Sequence, residues 1–273
     1  MPSEPAALAR VRLQRAVARL RERDIGVRFV TVGAQRVFVD SLDRYAAALA
    51  WKLRWRDGPV QRLIAREVEP GMTAVDVGAN VGWYTLALAR QVGPRGRVLA
   101  LEPDARCFEL LRRGIAGNRC AHVEARLVAA AEYSGWTTLY RSAADLGDHR
   151  LVPAAEERPA HTVRGVSLDE LLADAPRIDF VKLAVQGAEV SVLRGLRQTL
   201  ARHPELRVLC AVAPSLLERA GASAAALFDP LRSAGLQPHQ IGRAGAAEPI
   251  HPADAWSLAR AVGRVMLYFR RPT

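Results

Sequence analysis

The chain has 273 residues, half of them hydrophobic, enough to bury a full core as one large domain or as a domain with an appendage. Its formal net charge of +11 brings nucleic acid and anionic substrates into consideration, but the basic residues are spread along the chain and nearly all are arginine; Lys52 and Lys182 are the only lysines. No apolar run is long enough to cross a bilayer, and Cys107, Cys120 and Cys210, odd in number and without paired spacing, argue against a disulfide framework and against a zinc site.

The opening residues, Met1-Pro-Ser-Glu-Pro, have no apolar secretory core, which with the cysteine usage fits a reducing cytoplasm. Residues 4–23 carry a basic helical pattern around Leu8, Val11, Leu13, Val17 and Leu20, suited to packing on the domain or to a homodimer contact; it has no aromatic anchor for a membrane surface. Two alternating segments around Gly33, Val27–Val32 and Arg36–Val39, predict a small hairpin. Residues 43–68 predict helix, broken at Asp57-Gly58-Pro59, with Trp51 and Trp55 four apart on one face. These parts form an extension, 1–68, and the main domain is expected over 69–273.

The main domain opens on Thr73-Ala-Val-Asp76-Val-Gly78-Ala-Asn80-Val-Gly82-Trp-Tyr84. A short apolar run ending in glycines and followed by a periodic apolar segment through Ala89 predicts a buried parallel strand, a tight turn and a helix N-terminus aimed at a ligand. A dinucleotide fingerprint wants a middle glycine where Asn80 stands, and Asp76 two residues before Gly78 would repel a diphosphate. The pattern suits S-adenosylmethionine, with its ammonium group and hydroxyls, better than NAD.

Strands and helices then alternate. Arg97–Glu102 is a second strand, and Pro103-Asp104 starts a helix carrying Phe108, Leu110 and Leu111. His122–Val128 is a third strand and Ile178–Ala184 a fourth, followed by a helix from Ala188 to about Leu200. Leu206–Val212 is a fifth, and Val265–Phe269 closes the chain. Such alternation predicts a mostly parallel, doubly wound sheet with its ligand beyond the carboxyl ends of the strands. The least regular region, 134–165, is expected to hold a hairpin and a loop over the site. Glu102, twenty residues after Gly82 at a strand end, is placed to accept hydrogen bonds from ribose hydroxyls.

Three blocks together, Asp76-Val-Gly-Ala-Asn-Val-Gly, Gly96-Arg-Val-Leu-Ala-Leu-Glu-Pro-Asp and Asp179-Phe-Val-Lys-Leu-Ala-Val-Gln-Gly-Ala-Glu189, resemble the FkbM family of S-adenosylmethionine-dependent methyltransferases over roughly residues 60–215. The resemblance implies the seven-stranded class I Rossmann-like fold with a late antiparallel strand, and O-methylation of a hydroxyl on a natural product, sugar or glycolipid. It places Asp76, Gly78, Asn80 and Gly82 at the methionine end of the cofactor and Glu102 at its ribose. Ala79, Tyr84, Pro103 and Ala130 join them as candidate cofactor contacts. Gly147-Asp-His-Arg-Leu151 also resembles a stretch that many members carry before the fourth strand.

Two departures stand out: Ala184 and Ala211 occupy positions where the family has acids, expected at strand ends facing the ligand. The remaining candidates for a general base are His149, Asp148, Lys182 and Glu189. His149 leads because it titrates near neutrality and lies in the expected substrate loop. Lys182 in a buried strand needs a partner, with Asp179 or Glu189 as candidates; Asp179 serves equally as a strand-start cap. The other histidines (His122, His161, His203, His239, His251) show no ligand spacing, and no metal is expected. A non-catalytic relative acting as scaffold is the alternative function. A nucleic-acid methyltransferase is disfavoured because Ala184-Val-Gln186-Gly replaces the Asn/Asp-Pro-Pro-aromatic block of base-amino methylation.

Overall fold

The computed structural model describes residues 26–32, 35–40, 58–142, 145–153 and 156–272. The expected helix at 4–23, its dimer contact, and Trp51 and Trp55 lie outside the described residues.

A hairpin of β1 (Val27–Val32) and β2 (Gln35–Asp40) begins the described chain, and Val37 and Val39 bury its inner face with Val81, Leu86 and Leu110. Helix α1 (Gly58–Glu67) starts at the predicted break. It buries Val60, Leu63 and Ile64 in one cluster with Ala74, Phe180 and Tyr268, so it packs into the main core and not beside it.

The strand predicted at the first motif is β3 (Thr73–Val77), with Ala74 through Val77 fully buried, followed by α2 (Trp83–Val92). Next come β4 (Arg97–Leu101), α3 (Ala105–Gly117) and β5 (Val123–Arg126). The Asp104 side chain caps α3, accepting from the backbone N–H groups of Arg106 and Cys107 at 3.0 and 2.9 Å, which offsets two donors the helix start cannot satisfy.

The third strand is shorter than predicted. After Arg126 the chain leaves the main sheet, and β6 (Ala129–Ala131) pairs instead with β8 (Ala160–Ser167), which also pairs with β7 (Gly135–Tyr140). The predicted hairpin of the irregular region is thus β7–β8, and its connection carries a 3-10 turn, Leu146–Asp148.

After α4 (Leu168–Leu171) and β9 (Phe180–Leu183), the helix predicted over 188–200 is two helices, α5 (Glu189–Arg194) and α6 (Arg197–Arg202). The Gly195 carbonyl between them is taken by the N–H of Asp169 at 2.7 Å and the Ser167 hydroxyl at 3.1 Å, so it does not continue the helix. The Asp169 carboxylate then caps α6 through the N–H groups of Gln198 and Thr199. The chain ends with β10 (Arg207–Val212), α7 (Pro214–Arg219), α8 (Ala224–Ser233), β11 (Gln237–Ile241), β12 (Ala247–Pro249), α9 (Pro252–Val262) and β13 (Val265–Arg270).

The main sheet runs β12-β11-β13-β10-β9-β3-β4-β5. Seven of these strands make the expected class I arrangement and β12 adds a short edge. Pairing from β5 to β10 is parallel, while β13 is antiparallel to both β10 and β11, the expected late reversal. β11 escaped the sequence reading because Gln237-Pro-His-Gln has no apolar alternation. Strand order reverses between β3 and β9, where sheets of this class open a crevice at their carboxyl ends. No helix among the described residues is long and apolar enough to cross a membrane.

Candidate active site

A cleft of roughly 980 Å³, counting its open mouth, lies at that reversal. It is walled by the turn after β3, the end of β4, the segment after β9, and the 146–151 loop. The turn is forced by close packing. Gly78 has φ 74°, and a Cβ there would stand 2.2 Å from the Ala184 carbonyl oxygen, so no other residue lets β3 and β9 meet at their ends. Asn80 takes φ 52°, a left-handed conformation that its short amide side chain tolerates.

Glu102 is the polar centre of one side. It is 5% exposed, and its two oxygens accept the backbone N–H groups of Asn80 at 2.7 Å and Asp104 at 2.9 Å. Burial pushes its pKa up to about 7 against those hydrogen bonds. A carboxylate offers about four acceptor positions, so two remain for donors on a ligand. Around it Ala79, Leu101, Pro103, Ala129 and Ala130 leave an apolar slot. This donor set fits a nucleoside with a vicinal diol: the carboxylate would take its hydroxyls and the slot its base.

Asp76 does not reach the cleft. It is fully buried, accepting the Thr85 hydroxyl at 2.6 Å and pairing with the Lys182 ammonium at 2.9 Å. An ammonium does sit on Asp76, but it belongs to the neighbouring strand. Lys182 also donates to the carbonyls of Gly78 at 2.8 Å and Val77 at 3.3 Å and stands over the Tyr84 ring. The ammonium is thus held by two backbone carbonyls and one carboxylate. Lys182 is paired with neither Asp179 nor Glu189; it lines the cleft and braces the Gly78 turn. Asp179 receives Thr73 N–H at 2.8 Å and Arg177, as a strand-start anchor would. Gly82 is likewise outside the cleft, at the start of α2, where a Cβ would come 2.7 Å from Leu111.

The loop over the cleft is held from both flanks. Asn80 Nδ2 donates to the Leu146 carbonyl at 2.7 Å, and Gln186, itself at φ 54°, donates to the Gly147 carbonyl. Asp148 faces away: Arg150 and Arg158 hold its two oxygens at 2.8 and 2.7 Å, and it does not line the cleft.

His149 does line it, with a side chain 6% exposed. Its Nδ1 accepts the Ser142 N–H at 3.0 Å, which puts the ring proton on Nε2. Burial lowers its pKa, so the ring is neutral near pH 7. Nε2 lies 3.8 Å from the Asp104 carboxylate, itself paired with Arg141 at 2.7 Å. With the lone pair already used, His149 is not set up as a base, contrary to the expectation from its titration range. Asp104, Cys107 and His149 come within 4.8 Å of one another. The carboxylate there is already engaged by the α3 cap and Arg141, and burial pushes the Cys107 thiol far up, so it stays protonated.

Glu189 spends both oxygens on the N–H groups of Val185 and Gly187, at 3.0 and 2.9 Å. Ala184 lines the cleft, as expected of its strand end, but Ala211 is buried within β10 opposite Met266 and does not. Cleft residues that the sequence reading missed include Trp83, Leu139, Leu151 and Arg264. The first followed directly on the turn motif. Leu151 ends the Gly147-Asp-His-Arg-Leu151 stretch, while Leu139 and Arg264 sit on elements far away in sequence and carry no local signal.

A model of the methyltransferase FkbM domain matches residues 76–234. Among curated proteins, Methyltransferase 1 of Beauveria bassiana (strain ARSEF 2860) is 28% identical over 144 residues, covering 45% of this chain and 57% of that protein. Methyltransferase sdnD of Sordaria araneosa is 28% identical over 154 residues, covering 45% and 59%. The chain thus matches less than two thirds of either relative's length. A solved structure, methyltransferase FkbM from Methylobacillus flagellatus KT, aligns with a TM-score of 0.43 at 18% identity, over 74% of this chain and 44% of that one.

Proposed function

Because the chain belongs to the FkbM methyltransferase family, we propose that it is an S-adenosylmethionine-dependent O-methyltransferase acting on a small molecule. The observation that carries this is Glu102: a buried carboxylate at the end of β4, open toward the cleft and with acceptor positions left for a ribose diol. When bound, the cofactor supplies a methyl group activated by a sulfonium. Everything else falls to the chain. Glu102 would hold the ribose and Ala130, Pro103 and Leu101 the adenine, while Gly78, Ala79, Asn80 and Tyr84 line the path toward the reacting end. Asp76, off the cleft, and Lys182, on its wall, position the turn.

Rate enhancement then comes mainly from alignment and exclusion of water. Holding nucleophile and methyl donor in line can contribute about 7–11 kcal/mol. The loop latched by Asn80 and Gln186 covers the cleft, and the apolar walls keep the reacting oxygen dry. The test is calorimetric titration with S-adenosylmethionine, in which micromolar binding is expected; no heat at millimolar cofactor would end the proposal.

A second reading, a methyltransferase fold retained as a scaffold, is favoured by the absence of a free base among His149, Asp148, Lys182 and Glu189. Methyl transfer from labelled cofactor to any added small molecule excludes it.

A further inference from the structure

The cleft has a second side, formed by the segment after β9 and the start of β13. Arg264 stands there between Gly263 and β13, and Val265 is paired with Val212 at the end of β10. Strands lie about 4.8 Å apart, and β13 is four places from β4 in the sheet, so Arg264 begins roughly 19 Å across from the strand that ends in Glu102. It is on the β9–β13 side of the reversal.

Arg264 is half-buried, lines the cleft, and makes no hydrogen bond or ion pair with any described residue. The other charged groups on the described lining are already answered: Lys182 by Asp76, and Glu102 by two N–H groups. Glu189 is close enough to feel the Arg264 charge but spends both oxygens on backbone. The strand end nearest the turn carries Ala184, a methyl group. A guanidinium without a hydrogen-bond partner in a partly dry wall is costly, and its planar donors suit an oxyanion, a carboxylate or a phosphate.

The second observation is chemical. A hydroxyl nucleophile gains about 10²–10⁴-fold from a base; on the described lining the His149 lone pair is engaged by the Ser142 N–H, and Glu102, the one carboxylate there, is assigned above to the ribose hydroxyls. A carboxylic acid, with a pKa near 4, has lost its proton at neutral pH and needs no base.

Building on the methyltransferase reading above, we propose that the acceptor is a small carboxylic acid, held by Arg264 through one carboxylate oxygen and methylated on the other to a methyl ester. In the transfer the free carboxylate oxygen gives an electron pair to the methyl carbon, the carbon–sulfur bond breaks with its pair left on sulfur, and no proton moves. The anion and the sulfonium cancel one charge each.

The experiment loads the full chain with S-adenosylhomocysteine and titrates benzoate and hexanoate against benzyl alcohol and hexanol, in wild type and Arg264→Met. The acids are expected to bind at least tenfold tighter than the alcohols. In Arg264→Met that preference is expected to vanish, with binding of the alcohols and of S-adenosylhomocysteine changed less than twofold. Acids that bind no tighter than alcohols, or that bind both proteins alike or not at all, overturn the proposal. So does a variant that loses S-adenosylhomocysteine but keeps 5′-methylthioadenosine, because the guanidinium then serves the cofactor's own carboxylate. Failure of wild type to bind S-adenosylhomocysteine removes the cofactor reading itself, a different result. Any methyl-labelled product is expected to release volatile methanol in alkali, as esters do, and an alkali-stable label overturns the ester.

Discussion

The two sides of the cleft are built on different principles. On the β3–β4 side the charged groups have partners: Glu102 accepts two N–H groups, Asp76 and Lys182 neutralise each other, and Gly78 is pinned by a lysine and a neighbouring strand. On the β9–β13 side there are a methyl group at Ala184, an amide at Gln186 and, at Arg264, a guanidinium with no hydrogen bond or ion pair to a described residue. A side that is satisfied in itself is rigid and selects its ligand by shape and remaining acceptors. A side with one open charge selects by charge. The contrast teaches that the two sides of one cleft can select a ligand by different means.

The contrast can be broken most severely at Lys182. Lys182→Met leaves Asp76 charged and buried, and removal of one partner from such a pair typically costs about 3–5 kcal/mol; chemical denaturation should show that loss. A fall under 1 kcal/mol would mean the pair does not brace the turn. Next is Glu102→Ala, which removes charged acceptors worth about 1.5–3 kcal/mol per ligand hydrogen bond. S-adenosylmethionine affinity should drop by roughly 10²-fold or more in calorimetry, with unchanged affinity refuting the ribose assignment.

Glu102 also predicts a pH effect. Its folded pKa of about 7 is above the ordinary 4.5, so between those values the folded chain keeps a proton that the unfolded chain has released. The stabilisation is full below about pH 4.5 and is lost as pH rises to about 7, on the order of 1–3 kcal/mol in all. Glu189, raised by burial in the same sense, adds to the slope. Denaturation midpoints of the ligand-free chain should therefore fall from pH 5 to pH 7, and Glu102→Gln should flatten that decline. A slope unchanged in Glu102→Gln would locate the proton elsewhere.

Gln186→Ala should release one flank of the loop, at a cost of about 1 kcal/mol for a single hydrogen bond. Hydrogen exchange of the backbone around Gly147 would report it, and protection equal to wild type would show that the latch is not needed. The smallest effect belongs to His149. If His149 is no base, His149→Ala should change the transfer rate less than about threefold, against the 10²–10⁴-fold typical of base removal; a fall in that higher range would restore it as a catalytic residue.

Local pattern carried much of this protein. The run from Thr73 to Val77, the glycines around Asn80, and Glu102 at a strand end were sufficient for the sheet class, the turn and the carboxylate on the cleft, because strand burial, left-handed backbone and strand-end position leave marks within a few residues. Asp104 as a helix start was legible for the same reason. The split at Gly195 was not, since the Ser167 and Asp169 groups that occupy its carbonyl come from nearly thirty residues away.

What only the tertiary structure decided is who partners whom among the charges. Asp76 could have been meant for a ligand's ammonium, and Lys182 for Asp179 or Glu189, until the β3–β9 register set Asp76 opposite Lys182. His149 titrates in the right range in any sequence, but its lone pair is committed by Ser142, which folding brings to it. Arg264 is one of many arginines in the chain and becomes distinctive only when β13 inserts beside β10 and sets it on the cleft. Backbone conformation is fixed by near neighbours, whereas the state of a charge depends on whatever the fold carries to within a few ångströms of it.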